Sequence, residues 1–217
     1  ALVYAMAGDI YWKFDEKRSR DLFRSAAGEI LAYNADAERE KRENTDPYAR
    51  ILDAPDLRMI TLPLVAKRDA ELALQMLVQT RPAAVTEAML KANAPDAPAG
   101  NMISYNPEDQ MVRAELEMEQ RFVLLAADAN PDRAIALIKD SLARGISNNL
   151  LQLLQKLHTK DEKKAAELGG DVIRRFLDTH LARKNDQLSI VINYLAFMTR
   201  ADARSAESDP KKKAFRF

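Results

Sequence analysis

The 217-residue chain contains no cysteine. That excludes thiolate metal sites, a cysteine nucleophile and a disulfide framework. It leaves the compartment open, since a cysteine-free chain suits cytosol and periplasm alike. Glycine is scarce at six residues, and aromatics make up only 6%. With β-branched and aromatic residues so thinly spread, there is little from which to build strands. Neither sign of charge is in surplus, because 33 Lys plus Arg balance 33 Asp plus Glu. Nucleic-acid binding leans on phosphate neutralisation, so a nucleic-acid partner is not expected. Long apolar runs are missing too. Phe122–Ala127 is among the longest, far short of the roughly 20 residues that span a bilayer. An initiating methionine is also absent, and Ala1 leads us to expect that something upstream was removed, by signal cleavage or otherwise.

What remains is helical material. Ala, Leu, Glu, Lys, Arg and Met are abundant, and all favour helix. A hydrophobic share of 47% with 30% charged residues reads as globular and soluble. The length suits one large domain or two small ones, with core enough to fold without metals or disulfides.

The periodicity is helical almost throughout, and we expect about ten helices and no strand. Leu2, Ala5, Met6, Ile10 and Phe14 fall on one stripe of a first helix. After Asp15 a second follows, with Ser19, Leu22, Phe23, Ala26 and Ile30 inward and the charged run Glu38–Glu43 as an exposed, fraying end. Thr45-Asp46-Pro47 marks a boundary. A helix from Asp56 to Lys67 presents Leu57, Ile60, Leu64 and Val65, and Pro63 inside it should kink or split it. Asp69 opens the next helix, which ends before Pro82, and a short one runs over 83–91. The segment 93–106 and the Pro107 that follows it hold three prolines, three asparagines and a glycine, too many breakers for a helix. We take 93–106 as a loop or linker between N-terminal hairpins (1–92) and C-terminal hairpins (107–200), with a polar, basic tail over 201–217.

Pro107 opens the longest helix, whose seam is Met111, Met118, Phe122, Leu125 and Ala129. Asn130-Pro131 restarts the chain to Ala143, Gly145 suits a C-terminal cap, and Ser147 the next N-cap. Helices over 148–158, from Asp161, and over 186–200 complete the order.

One pattern recurs. An Asp or Asn begins a helix, a small residue follows four positions on, and a long apolar residue follows at seven. Asp15 has Ser19 and Leu22; Asp69 has Ala73 and Met76; Asn130 has Ala134 and Leu137; Asp161 has Ala165 and Leu168; Asn185 has Ser189 and Ile192. The cap satisfies free N–H groups, and the short turn forces the two helices antiparallel. The small residue allows close approach, and the long one fills the seam. A lone hairpin has too little core, so neighbours must stack. Val65–Leu74 and Asp128–Leu137, with Leu157–Ala166 more loosely, resemble the helix–turn–helix units of tetratricopeptide-like proteins, in the manner of uncharacterised bacterial α-helical chains. The resemblance implies an all-α array of antiparallel hairpins, an α-α superhelix, and a protein partner. The family's steady period of about 34 residues and its Trp-Leu-Gly-Tyr signature are not present.

Candidate sites are few. Glycine-rich phosphate loops, Gly-x-Ser-x-Gly and His-Glu-x-x-His are all missing. His158 and His180 each sit at a helix C-terminal region, where free carbonyls favour a donor. Gly169-Gly170 reads as a close helix contact or kink. Glu115, Glu117 and Glu119 read as a solvated face; Glu115 and Glu119 share it and offer the alternative of an acid-base or cation site on the 107–129 helix. Residues 141–154 carry the cadence of a DNA-binding helix-turn-helix, with Asn148, Asn149 and Gln152 outward and Lys156 the only cation there. Tyr11, Trp12 and Phe14 read as core, or as an anchor for a partner. The tail Lys211, Lys212, Lys213, Phe215, Arg216 and Phe217 reads as a frayed, solvated terminus, with contact to a membrane or nucleic acid as the alternative. The leading expectation is therefore a non-enzymatic interaction protein, without catalytic residue, metal or cofactor, whose partner is another protein. The DNA-binding regulator and the carboxylate enzyme are the alternatives.

Overall fold

A computed structural model describes residues 1–43, 56–92, 107–142 and 144–178, together with 189, 192, 193 and 195–197. The 93–106 segment, the tail, the Asn185 cap and His180 lie outside the described residues. Those described are helical or in turns, with no strand among them. Nine helices are delimited: α1 (Leu2–Tyr11), α2 (Glu16–Glu43), α3 (Leu57–Ala66), α4 (Ala70–Gln79), α5 (Ala83–Ala92), α6 (Pro107–Ala129), α7 (Pro131–Leu142), α8 (Asn148–Lys160) and α9 (Glu162–Asp178). The described residues of the expected 186–200 helix are helical too. The chain is all-α.

Four of the five capped turns lie among the described residues, and each joins two helices packed on one another: α1 on α2, α3 on α4, α6 on α7, α8 on α9. The caps are made as the pattern requires. Asp15 Oδ1 accepts from Arg18 N at 2.9 Å, Asp69 Oδ1 from Leu72 N at 3.0 Å, Asn130 Oδ1 from Arg133 N at 3.0 Å and Asp161 Oδ1 from Lys164 N at 3.1 Å. Four residues on, Ser19, Ala73, Ala134 and Ala165 are fully buried. At seven, Met76 and Leu168 are buried, while Leu22 and Leu137 are half-buried.

The first helices of the hairpins also touch in sequence, α1 on α3, α3 on α6 and α6 on α8, with α5 laid against α6. The second helices are tied by ion pairs at their N-terminal turns. Arg20 Nε of α2 donates to the α4 cap Asp69 at 2.9 Å. Arg133 of α7 reaches back to Glu71 of α4, its Nε at 3.1 Å. Lys164 of α9 lies 2.6 Å from Asp132 of α7. All three cations are raised above their ordinary pKa, first by the hydrogen bond to the carboxylate on the neighbouring helix. Such exposed pairs add little stability, but they fix the order α2, α4, α7, α9. One hydrophobic cluster extends from Ala5 to Val172, drawing on both sides of the 93–106 segment.

Three packing expectations are corrected. Of the expected α1 stripe only Ala5 is buried: Ile10 is 65% and Phe14 82% exposed, Met6 is half exposed, and Leu2 is exposed. Gly8 and the partly buried Trp12 join Ala5 on the inward side. The cause is Phe23, whose ring fills the space beneath α1; a Cβ on Gly8 would lie 2.5 Å from it. Only the small side of α1 can come that close. On α3, Ile60 is half exposed and Arg58 is buried. Pro63 does not split α3, which runs unbroken to Ala66. The hydrogen bond it forfeits is to the carbonyl of Met59, a half-exposed residue. The charged run Glu38–Glu43 continues α2 as helix, and its described side chains are exposed as expected.

Candidate functional site

The central helix α6 contacts α3, α4, α5, α7 and α8. Its burial leaves one exposed stripe, including Arg113, Glu117 and Arg121, and takes in three polar side chains: Glu115 at 1% exposure, Glu119 at 3% and Gln120 at 0%. The solvated-face reading of the glutamates holds only for Glu117, which is exposed. Glu115 and Glu119 are one turn apart on a side covered by α3 and by the joints after α4 and α7. Arginines from those places meet them.

Arg58 Nη1 donates to Glu115 Oε2 at 2.8 Å, and Arg81 Nε to Glu115 Oε1 at 2.6 Å. Arg81 Nη2 lies 3.7 Å from Glu119 Oε2. Arg144 embraces Glu119 with both Nε, at 3.2 Å, and Nη2. Arg58 also donates through Nε and Nη2 to Asp56, the α3 N-cap, at 3.0 and 2.7 Å. The result is an unbroken alternation of charge: Asp56, Arg58, Glu115, Arg81, Glu119, Arg144. Burial pulls the Arg58 pKa down, yet its hydrogen bonds to Asp56 and the charges of Glu115 and Asp56 outweigh it and leave the value raised. Every carboxylate oxygen of Glu115 and Glu119 is engaged by a guanidinium, so neither is aimed at an open space. The arrangement clamps helices together.

Gln120 extends the seam. Its Nε2 donates to Ser141 Oγ at 3.2 Å and Gly145 O at 3.0 Å, and its Oε1 accepts from Ser147 N and Oγ, both at 2.9 Å. Gly145 has φ 144°, a conformation that L side chains rarely adopt, and Ser147 caps α8 by accepting from Asn149 N at 3.2 Å. The 141–154 segment is thus a joint keyed to α6. Of its expected readers, Asn148 and Gln152 are exposed. Asn149 Nδ2 is spent on Glu117 O at 2.9 Å, and Lys156 pairs with Asp128 at 2.6 Å.

A groove of about 310 Å³ opens where α3, α6 and α8 meet. Met59 and Pro63 form one wall, Met118 and Phe122 the floor, and Glu117, Arg121 and Asn149 the polar rim. Sequence reasoning missed this groove, because its walls come from helices far apart in the chain. Of the other candidates, His158 is half-buried, edge-on to Phe197 at 5.5 Å, with Nδ1 buried and without a hydrogen-bond partner. Gly169 is buried within an unbroken α9, while a Cβ on Gly170 would meet open space, so the close-contact reading fails there. Trp12 stacks on Phe23 at 6.0 Å as a core aromatic, whereas Phe14 does not join the core. Among the described residues, no three His, Asp or Glu side chains converge as a metal site, and no helix is long and apolar enough to cross a membrane. Comparison with family models, with curated proteins and with solved structures finds no match for the chain.

Proposed function

We propose that the chain is a non-enzymatic interaction module of tetratricopeptide-like design, which binds a protein segment in the groove between α3, α6 and α8. The groove carries the reading: an apolar floor with methionine and proline at its wall, rimmed by one acid, one base and one amide. Methionine walls adapt to varied apolar side chains, and a sparse polar rim fixes orientation. The groove lies on the first helices of three hairpins, and stacked helical arrays bind partners on extended surfaces. Rim charge is uncommitted, because neither Glu117 nor Arg121 forms an ion pair with a described residue.

The alternatives draw less support. The carboxylates an enzyme would need are saturated by arginine, and the 141–154 joint commits Asn149 and Lys156 to its own fold. Selection from a displayed library of random peptides is the test. Enriched sequences should share apolar anchors, and Met59→Asp or Arg121→Glu should weaken their binding at least about tenfold, the cost of about 1.4 kcal/mol. Failure to enrich any sequence, or enriched peptides indifferent to both substitutions, contradicts the reading.

A further inference from the structure

The outer face of α1 is not used by the groove and has a chemistry of its own. Val3, Met6 and Ile10 run along it, and Phe14 protrudes from the turn that follows; all four are half or more exposed. Tyr4 and Tyr11 flank this ridge, each partly exposed. At its Phe14 end cations are in slight excess, Lys13, Lys17 and Arg18 against the exposed carboxylates of Asp15 and Glu16. Asp9 pairs with Arg68 and Asp21 with Arg24, Glu16 shares Arg20 with Asp69, and Asp15 caps α2 while keeping its charge. Lys13, Lys17 and Arg18 are exposed and pair with no described carboxylate. Arg18 instead lies over the Tyr11 ring, 4.9 Å from its centre. An apolar ridge therefore ends in a turn with a small excess of positive charge, whose three cations form no ion pair with a described residue.

We propose that α1 and the turn after it seat the protein on an anionic lipid surface, with the apolar ridge in the headgroup–acyl boundary. A ridge with a protruding phenylalanine is suited to a deformable apolar phase. Tyrosines beside it match the amphipathic zone at the water boundary. Lys13, Lys17 and Arg18 complement the negative surface potential of such a leaflet. The ten residues of α1 are too few to cross a bilayer, so the helix lies in the surface.

Flotation of the full chain with vesicles is the test, comparing phosphatidylcholine alone with phosphatidylcholine containing about one third phosphatidylserine. Binding should be roughly fivefold tighter to the serine-lipid vesicles, the effect of about one net positive charge, and should fall with added salt. Lys13→Glu with Lys17→Glu should abolish the lipid preference. Ile10→Ser and Phe14→Ser should each release the protein, with circular dichroism and Tm unchanged because both side chains are outside the core. Equal or absent binding to the two vesicle types overturns the proposal. So does a Phe14→Ser protein that floats like the parent, or a dimer in lipid-free solution that Ile10→Ser dissociates, since a second copy would then own the face.

Discussion

Arg58 Nη1 and Glu115 Oε2 lie 2.8 Å apart across 57 residues of sequence, with both side chains almost wholly buried. Two charges withdrawn from water this far are tolerable only together, since a lone one keeps the desolvation penalty without its partner. Each keeps a second partner here, Glu115 through Arg81 and Arg58 through Asp56, so Arg58→Met and Glu115→Gln should each destabilise the fold by about 1.5–3 kcal/mol, the worth of a hydrogen bond to a charged group. Urea denaturation measures this directly. A loss below about 1 kcal/mol would mean that water reaches the network and screens it.

Gly8 is where α1 and α2 come closest. The 2.5 Å separation between a Cβ there and the Phe23 ring must be relieved by moving Phe23 or lifting α1. Gly8→Ala should cost about 1–3 kcal/mol. Combining it with Phe23→Leu should cost less than the sum of the two single changes, a coupling that a double-mutant cycle reads from urea midpoints.

Asp69 has two tasks, capping α4 through Oδ1 and receiving Arg20 on Oδ2. Asp69→Ala should lower stability by about 1 kcal/mol or somewhat more, mainly through the cap. Asp69→Asn keeps a capping oxygen and gives up only a partly exposed ion pair, so its loss should be no more than a few tenths of a kcal/mol. Thermal melts of the two variants separate the tasks.

Asp161 predicts a pH dependence. The Lys164 backbone N–H holds its carboxyl below the usual carboxylate range; burial opposes this, and the Lys164 side chain adds to it. A group depressed in the folded state stabilises it above the unfolded pKa. Its contribution fades as pH falls from the ordinary aspartate value toward the lower folded one. Urea midpoints should therefore drop less on acidification in Asp161→Asn than in the parent. Parallel curves for the two proteins would contradict this.

The hairpins were legible because their signal is local. A capping Asp or Asn, a small residue one turn in and a short connection determine how two successive helices meet, and the pairs at Asp15, Asp69, Asn130 and Asp161 are as expected. The charged seam was not legible. Glu115 meets Arg58 and Arg81 across separations of 57 and 34 residues, and Glu119 meets Arg144 across 25. No periodicity carries that pairing, and one glutamate turn looks the same whether solvent or arginine covers it. For α1, both faces are apolar, so hydrophobicity could not choose between them. Size chose, through Ala5 and Gly8 against Phe23.

The ion pairs Arg20–Asp69, Arg133–Glu71 and Lys164–Asp132 place α2, α4, α7 and α9 next to one another in that order. The lack of native cysteine makes paired spin labelling clean. Asp21, Gln75, Ala136 and Glu167 are exposed and occupy the same place relative to their caps, so each takes a cysteine in turn. Electron–electron distances from Asp21→Cys should lengthen steadily to Gln75→Cys, Ala136→Cys and Glu167→Cys, each step adding about 8–10 Å, the spacing of packed helices. A distance from Asp21→Cys to Glu167→Cys as short as that to Gln75→Cys would mean a closed bundle and contradict the account.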